Sequence, residues 1–469
     1  MEIVRLKKKR IGSWCILGGL LAFFLGMLAV YGVGVYNDSE QYIAMHIHRE
    51  PLYPLFLALF RVLCGDGYLM AAAAVQSILT AVGIWIVVEY IAAHFRLCFL
   101  EELLLVCLQI LPHLVTRYVS ALHIFLESSV MSEALCIPLF QFFVYFLLRM
   151  LFERRTRDRV LGLAMAFLLS MTRGQMMTTI LLWMAVLLVQ AVLEMITRRK
   201  KGRRSGVSTV RSLVCPILVT ALIFGLRSLT VHVYNYAVTG YFMGNTYGQV
   251  NTLTNVIYAC DREDGMVFAK DSLERAFFDR FYEEADALGA NYRYGGESFK
   301  ERARHLESSH DVLKFQVLEA DLSAYYFGLG KVDYYQQSSM SDEMAGRMLA
   351  KLLPACFGQW LYDYMLLCTY GFIRSVAVVH PLINWVAFLL YLGAVSLALW
   401  QAVRLRGSDA AWVMGAALLF IAANVCATSI TIMCLSRYMI YGFSLFYMAG
   451  FLLLREWVQT LRGKTKKEA

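Results

Sequence analysis

The sequence has few charged residues for its length, and this scarcity determines the class of protein. Only 17% of its 469 residues are charged, whereas 59% are hydrophobic. The mean hydropathy is +0.55. A soluble chain of this length would need far more polar surface. Because long apolar runs follow one another along the chain, the sequence predicts an all-α polytopic membrane protein.

Several motifs that would indicate other functions are missing. The 11 cysteines are scattered, mostly within apolar runs, and form no Cys-X-X-Cys pair and no His/Cys cluster at metal-ligand spacing. We therefore interpret them as small hydrophobic residues. No glycine-rich phosphate loop is present, so nothing favours a nucleotide ligand. The net charge of +9 comes from short basic segments beside apolar runs, a pattern typical of membrane orientation rather than nucleic-acid binding.

The apolar runs predict about ten transmembrane helices. Basic segments precede the first run, follow the fourth, sixth and last, and by the positive-inside rule place both termini in the cytoplasm of a multi-pass cell-membrane protein. The fifth predicted helix is the shortest. The predicted spans are 11–35, 68–93, 103–119, 129–151, 160–171, 176–196, 213–234, 381–403, 410–434 and 438–457.

This topology divides the chain into three predicted regions. Residues 1–240 form a transmembrane module of helices 1 to 7, with a first external loop at 36–67. Residues 241–353 form an acidic, mainly helical external segment, in which 18 acidic residues from 241 to 351 face 12 basic ones. Within it, Asp271-Ser272-Leu273-Glu274 has the form of a capping box, and Gly289 is placed to end that helix. Residues 354–469 form a juxtamembrane helix, helices 8 to 10 and a cytoplasmic tail.

The first external loop contains an unusual density of titratable groups. Asp38 and Glu40 directly follow the first apolar run, and His46, His48, Arg49 and Glu50 come next. One interpretation is a site for general acid/base chemistry. The alternative is that Asp38 and Ser39 cap a juxtamembrane helix while the basic groups contact lipid headgroups. The amphipathic segment 51–63 is too short to cross a bilayer, so we expect it in the membrane interface, anchored by Tyr53.

The predicted topology places further charged residues at the same external side. Arg117, Glu133, Arg173 and Arg437 all lie at external helix ends. An arginine beside a membrane span is costly unless it meets a carboxylate, a phosphate or water. Several converging arginines therefore indicate a lipid-linked phosphate or pyrophosphate. The alternative for each one is an ordinary interfacial arginine that reaches the headgroups.

These residues carry a resemblance to a known family. The carboxylates after the first span, followed by Arg-Glu-Pro-Leu-Tyr-Pro-Leu-Phe-Leu-Ala-Leu-Phe at 49–60, resemble the first external loop of the membrane-embedded GT-C glycosyltransferases. That family includes the protein O-mannosyltransferases and the lipid A aminoarabinose transferase. The further matches are Met131-Ser132-Glu133-Ala134-Leu135, Met171-Thr172-Arg173, 235–241 and Ser436-Arg437-Tyr438.

The resemblance implies inverting transfer of a sugar from a polyprenyl-phosphate donor to an envelope glycan, lipid or protein on the external face. Asp38 would be the general base, and Glu40 would assist it or be the base itself. Arg173 and Arg437 would hold the donor phosphate, with Arg49 and His46 as weaker candidates. The residues expected to support the site or the acceptor are Glu133, Arg117 and Tyr42. No metal is required, although a carboxylate pair beside a phosphate also suits Mg²⁺.

Two other functional classes fit the same sequence. A transporter or flippase for a lipid-linked saccharide also needs many spans and arginines, but transporters concentrate charge near the bilayer midplane and show repeated halves. Here the charge gathers at one face, and the halves do not match. An accessory subunit would use its external loop only to bind a partner.

Overall fold

A computed structural model describes residues 2–120, 123–200, 207–405 and 407–468. These residues form helices and turns without a β-strand, and one isolated parallel bridge joins Gly34 to Ser129. The chain is an all-α, multi-pass membrane protein, as the sequence predicts. Its helices belong to two compact units, the first comprising 1–229, 373–424 and 436–469 and the second 230–372 and 425–435.

The first half of the chain holds the helices that surround the first loop. Apolar runs give these helices their length, and turns at Gly65–Gly67 and Gly174–Met176 separate neighbouring ones. The helices are α1 (Glu2–Tyr31), α2 (Ser39–Ile43), α3 (Leu52–Cys64), α4 (Tyr68–Phe95), α5 (Phe99–Tyr118), α6 (Ser132–Phe152), α7 (Thr156–Thr172), α8 (Met177–Lys200) and α9 (Val207–Thr239).

The second half of the chain begins with shorter helices and ends with long apolar ones. The helices are α10 (Gly248–Ala259), α11 (Leu273–Ala287), α12 (Phe299–Asp311), α13 (Glu319–Gly328), α14 (Tyr334–Ala355), α15 (Phe357–Arg374), α16 (Pro381–Arg404), α17 (Asp409–Thr431) and α18 (Ser436–Glu468). A π-helix, Val312–Leu318, connects α12 to α13.

Nine helical stretches within the described residues are long and apolar enough to cross a bilayer. They correspond in position to nine of the ten predicted spans. The tenth, the predicted fifth span, is α7, which has 17 residues and is just short of the roughly 20 that a perpendicular crossing needs. Hydropathy therefore located every helical stretch in the described residues that is long and apolar enough to cross a bilayer.

The expectation for Tyr53 is wrong. The segment 51–63 is helical, as α3, but Tyr53 is fully buried rather than placed in the membrane interface. Its ring packs edge-on against Tyr42, with centroids 5.1 Å apart, and its hydroxyl donates to the Ser129 carbonyl at 3.4 Å. Leu55 and Val62 on the other side of α3 are exposed. The segment is amphipathic, but the face of α3 that carries Tyr53 packs on protein rather than on lipid.

Helix α11 begins one residue later than the predicted capping box. Ser272, not Asp271, is the N-cap, and its side chain accepts a hydrogen bond from the Arg275 backbone at 3.2 Å. Gly289 follows the helix with a φ of +63°, a left-handed conformation that favours glycine, so the predicted end is confirmed. Helix α12, which the sequence analysis did not identify, has a complete capping box of Ser298 and Glu301.

Helices α10 to α14 enclose one hydrophobic core in the second unit. Phe278, Phe281 and Leu313 are fully buried there, and the π-helix contributes Val317. This core gives the polar region between α9 and α16 a structure of its own.

Truncating the buried ring of Phe281 tests this core. We expect Phe281→Ala to cost about 3–5 kcal/mol of local stability, because the substitution leaves a cavity that the helices cannot fill. Phe327→Ala, at a side chain 44% exposed, is the matched control and should change local stability by about 0.5 kcal/mol or less. Hydrogen exchange of α10 to α14 in the purified full chain measures both. Equal protection in the two variants would contradict this core assignment.

Candidate functional site

The first loop is attached by its backbone to the turn that precedes α6. The Gly34 amide donates to the Ser128 carbonyl at 3.0 Å, and the Val130 amide donates to the Gly34 carbonyl at 2.8 Å. The Ser39 hydroxyl adds a bond of 2.8 Å to the Val130 carbonyl. These bonds fix the start of α2 beside the start of α6, although about 90 residues separate the two in the sequence.

Asp38 lies between two arginines. Its Oδ1 accepts from Arg49 Nη2 at 2.8 Å, and its Oδ2 accepts from Arg437 Nη2 at 3.1 Å. Asp38 precedes α2, but its side chain makes no capping hydrogen bond to that helix. The interpretation of Asp38 as a helix cap is therefore wrong, because its carboxylate is committed to the two guanidinium groups.

Glu133 is the second carboxylate of the site and is only 1% exposed. Its Oε2 lies 2.5 Å from Arg173 Nη1, and its Oε1 lies 3.6 Å from Arg437 Nε. Arg437 thus bridges Asp38 and Glu133. We call Asp38, Arg49, Glu133, Arg173 and Arg437 the charged cluster.

Aromatic rings and hydroxyls hold the arginines in place. Tyr438 lies under two of them, with Arg173 and Arg437 at 4.7 and 5.0 Å from its ring centroid. The Tyr42 ring centroid lies 4.7 Å from the Arg49 guanidinium in the same way. The Tyr42 hydroxyl shares a 2.9 Å hydrogen bond with the Ser132 hydroxyl. Gln41 accepts from Arg49 Nε at 2.9 Å. Burial raises the pKa of the Tyr42 phenol, so it remains a neutral hydrogen-bonding group.

A second ion pair adjoins the cluster. Glu50, next to Arg49, pairs with Arg227 of α9, and both side chains are largely buried. A Cβ added at Gly174 would lie 3.3 Å from the Glu50 carboxylate, so glycine lets the turn after Arg173 approach this pair. Neither residue was a predicted site residue, although Glu50 belongs to the charged part of the first loop. An arginine inside the predicted seventh span was the signal that could have found Arg227.

Of the remaining predicted site residues, Glu40 and Arg117 lie apart from the charged cluster. His46 lies beside its member Arg49, whose backbone amide donates to the His46 carbonyl at 3.0 Å. Glu40 is exposed, and its carboxylate has no hydrogen bond or ion pair with the described part of the chain. His46 packs against His48, with ring centroids 4.4 Å apart. Arg117 lies 4.2 Å from the Tyr31 ring centroid and donates to the His123 carbonyl, away from the charged cluster. Tyr42, Arg49, Glu133, Arg173 and Arg437 are therefore the predicted residues that come together with Asp38.

The charges of the loop act on its titratable groups. Burial alone would raise the pKa of the Asp38 carboxyl, but Arg49 and Arg437 together lower it below its ordinary value. Burial and the Arg49 charge lower the pKa of His46, which is therefore neutral at pH 7. The site consequently presents an ionised Asp38 among fixed cations.

The donor groups of the site do not suit Mg²⁺. Within the described ranges, no three His, Cys, Asp or Glu side chains are grouped to hold a metal ion. Asp38 and Glu133 are both paired with guanidinium groups, and three such groups beside them would repel a divalent cation. An anion is the ligand that this charge pattern favours.

The fold and this cluster define a multi-pass helical membrane protein with a cationic site at the ends of its helices. No protein-family model, curated protein or solved structure matches the chain.

The ion pairs of Asp38 predict a specific dependence of stability on pH. Its lowered pKa means that the carboxylate stabilises the fold above the unfolded-state value of about 3.9, and that this contribution is lost as the pH falls through the folded-state value. We expect Asp38→Asn to melt at a lower temperature than wild type from pH 7 to about pH 5. The difference should shrink only below about pH 4.

Glu40→Gln is the matched control, because it removes a neighbouring exposed carboxylate without a described partner. Its melting temperature should follow that of wild type at every pH. Melting of the detergent-solubilised protein, monitored by light scattering and intrinsic fluorescence, measures all three proteins. A Glu40→Gln loss as large as that of Asp38→Asn would show that general loop charge, not the ion pairs, determines stability.

Proposed function

We propose that this protein is a membrane glycosyltransferase that moves a sugar from a polyprenyl-phosphate donor to an acceptor hydroxyl, with inversion at the anomeric carbon. The observation that carries the proposal is the charged cluster, in which three guanidinium groups surround two carboxylates. The acceptor is an envelope glycan, lipid or protein, and the site faces the outside of the cell membrane while both termini are cytoplasmic.

The cluster is suited to a donor phosphate because its cations exceed its anions. Arg173 and Arg437 are 13% and 16% exposed, so each is largely dehydrated yet reachable. Both are held over Tyr438, which limits their motion. A phosphate that enters beside them would replace part of their contact with the carboxylates. The planar guanidinium group favours this contact, because it binds phosphate oxygens through directed hydrogen bonds.

The same arginines would stabilise the leaving group. When the bond between the anomeric carbon and the phosphate oxygen breaks, both electrons stay with that oxygen, and negative charge grows on the polyprenyl phosphate. Cations that are already oriented stabilise this charge without reorganising. Arg437 is the central member, because it contacts both carboxylates of the cluster.

Asp38 is the group placed to act as the general base. Its side chain is 30% exposed, so an acceptor hydroxyl can reach it. Its lowered pKa keeps it ionised at neutral pH. It would accept the hydroxyl proton as the acceptor oxygen attacks the anomeric carbon on the face opposite the phosphate, which inverts the configuration.

Glu133 is a positioning residue in this scheme. It is too buried to meet an acceptor, but it orients Arg173 directly and Arg437 more loosely. Tyr42 and Gln41 orient Arg49 in the same way. The Glu50–Arg227 pair supports the turn beside Arg173.

The proposed base can be identified by comparing two carboxylates of the same loop. We expect Asp38→Asn to lower transfer of radiolabelled sugar at least 100-fold, the usual contribution of a general base. Glu40→Gln should retain activity within about threefold, because Glu40 lies outside the cluster. The assay uses protein in lipid, a panel of polyprenyl-phosphate sugars and envelope extract as acceptor.

Two results would contradict this assignment. Full transfer activity of Asp38→Asn would remove Asp38 from the role of general base. Absence of transfer from every donor, together with movement of the lipid-linked sugar across vesicles, would favour a flippase.

The phosphate role can be tested without turnover. We expect Arg437→Gln to weaken binding of the polyprenyl-phosphate sugar at least tenfold, since the phosphate would lose its central cation. Arg61→Gln is the matched control, because Arg61 also lies in the first loop, and its side chain bonds to the Ile43 carbonyl and Tyr68 rather than to the charged cluster. Binding is measured with labelled donor on protein in nanodiscs. Equal affinity of wild type and Arg437→Gln would exclude Arg437 from the donor site.

A further inference from the structure

A cavity of about 350 Å³ lies between α8 and α9, among the basic segments of the chain. Arg154, Arg159 and Arg211 line it, and none of them belongs to the charged cluster. The positive-inside rule predicts that this end of the helices faces the cytoplasm, opposite the proposed catalytic side. A function assigned to this cavity is thus separate from sugar transfer.

The three arginines have no counter-ion in the described part of the chain. The acidic residues nearby are already paired: Asp158 and Glu153 with Arg149, and Glu194, which also lines the cavity, with Arg198. The connecting segment 201–206 reads Lys-Gly-Arg-Arg-Ser-Gly and contains no acid. The local sequence therefore cannot supply the missing negative charge.

Buried polar atoms in the cavity wall also lack partners. Arg159 Nε and Gln190 Oε1 are both buried, and neither has a hydrogen-bond partner among the described residues. The Gln190 amide nitrogen donates to the Met150 carbonyl at 2.8 Å, which fixes its side chain. Arg154, two residues after the end of α6, has a φ of +57°, a left-handed conformation that is uncommon for arginine. Buried groups without partners are rare, and here they indicate a polar ligand.

An apolar cavity adjoins the basic one. It measures about 450 Å³ and shares Arg154 and Gln190 with the first. Its carboxylate, Asp409, is hydrogen-bonded to His94 at 2.7 Å. The rest of its described lining is Leu151, Phe152, Ala185, Val186, Val189, Leu193, Trp412, Gly415, Ala416 and Leu419. A ligand that occupies both cavities must therefore be an amphiphile, with an anionic group at the arginines and a hydrocarbon part in the apolar cavity.

We propose that these two cavities form a binding site for an anionic membrane lipid, whose phosphate group is held by Arg154, Arg159 and Arg211. Guanidinium groups bind phosphate oxygens through short, directed hydrogen bonds. The hydrocarbon chain lies against the apolar side of α8. Such a lipid neutralises the basic end of α8 and α9, which the protein's own carboxylates do not.

The test measures retention of one lipid. Full-length protein is delipidated, incubated in detergent with labelled phosphatidylglycerol, and analysed by native mass spectrometry. We expect wild type to retain the lipid, and the triple variant Arg154→Gln, Arg159→Gln, Arg211→Gln to retain at least fivefold less. The matched control replaces Arg155, Arg157 and Arg199 by glutamine, which removes the same charge from the same basic segments outside the cavity lining. It should bind as wild type does.

Further experiments separate binding of a lipid phosphate from binding of free phosphate and control for misfolding. Val189→Trp, which fills the apolar cavity and leaves every arginine in place, should also reduce retention. Inorganic phosphate at millimolar concentration should not displace the lipid. If it does, the arginines form a site for free phosphate instead. Equal loss in the control triple variant, or equal retention of phosphatidylcholine, would overturn the proposal.

Discussion

The buried carboxylate of Glu133 is the constraint on which the site depends. It lies at the start of an apolar helix and is almost inaccessible, so an isolated charge there would be strongly unfavourable. Two guanidinium groups from distant parts of the sequence offset that cost, one from the end of α7 and one from the start of α18. The helices that carry them must therefore end close to α6. In this way, a single buried charge brings together segments that lie about 300 residues apart in the sequence.

The balance within the cluster explains why Asp38 belongs to it. Glu133 alone carries one negative charge, which cannot neutralise the positive charges of both Arg173 and Arg437. Asp38 supplies the second negative charge and adds Arg49, so the cations still exceed the anions. The excess is held in place by rings and hydroxyls rather than by further acids. A site of this kind is stable when empty and still attracts an anion, which is the property that a phosphate donor requires.

The sequence predicted the membrane-spanning helices well because each is a long apolar run bounded by charge, and it brought Arg173, Glu133 and Arg437 to one side through topology alone. It could not choose between Asp38 and Glu40, since the sequence does not show which of two carboxylates at the start of a short helix turns toward the arginines. Tyr53 was assigned to the interface because an amphipathic pattern does not say whether its apolar face meets lipid or protein. The Glu50–Arg227 pair was missed because Glu50 looks like an ordinary interfacial charge, and Arg227, although it lies inside a predicted span, has no acidic neighbour in the sequence that would indicate its partner.

The two groups of arginines differ in a way that fits their proposed ligands. Those of the charged cluster are paired with carboxylates, so each can exchange one partner for another as charge moves during a reaction, at little cost in solvation. The arginines of the basic cavity have no acidic partners among the described residues, and nearby carboxylates are paired elsewhere. A permanent anion is the simplest compensation for them, and anionic lipids are concentrated at the cytoplasmic face, where the positive-inside rule predicts this end of the helices. Paired cations thus suit a transient phosphate, and unpaired cations suit a resident one.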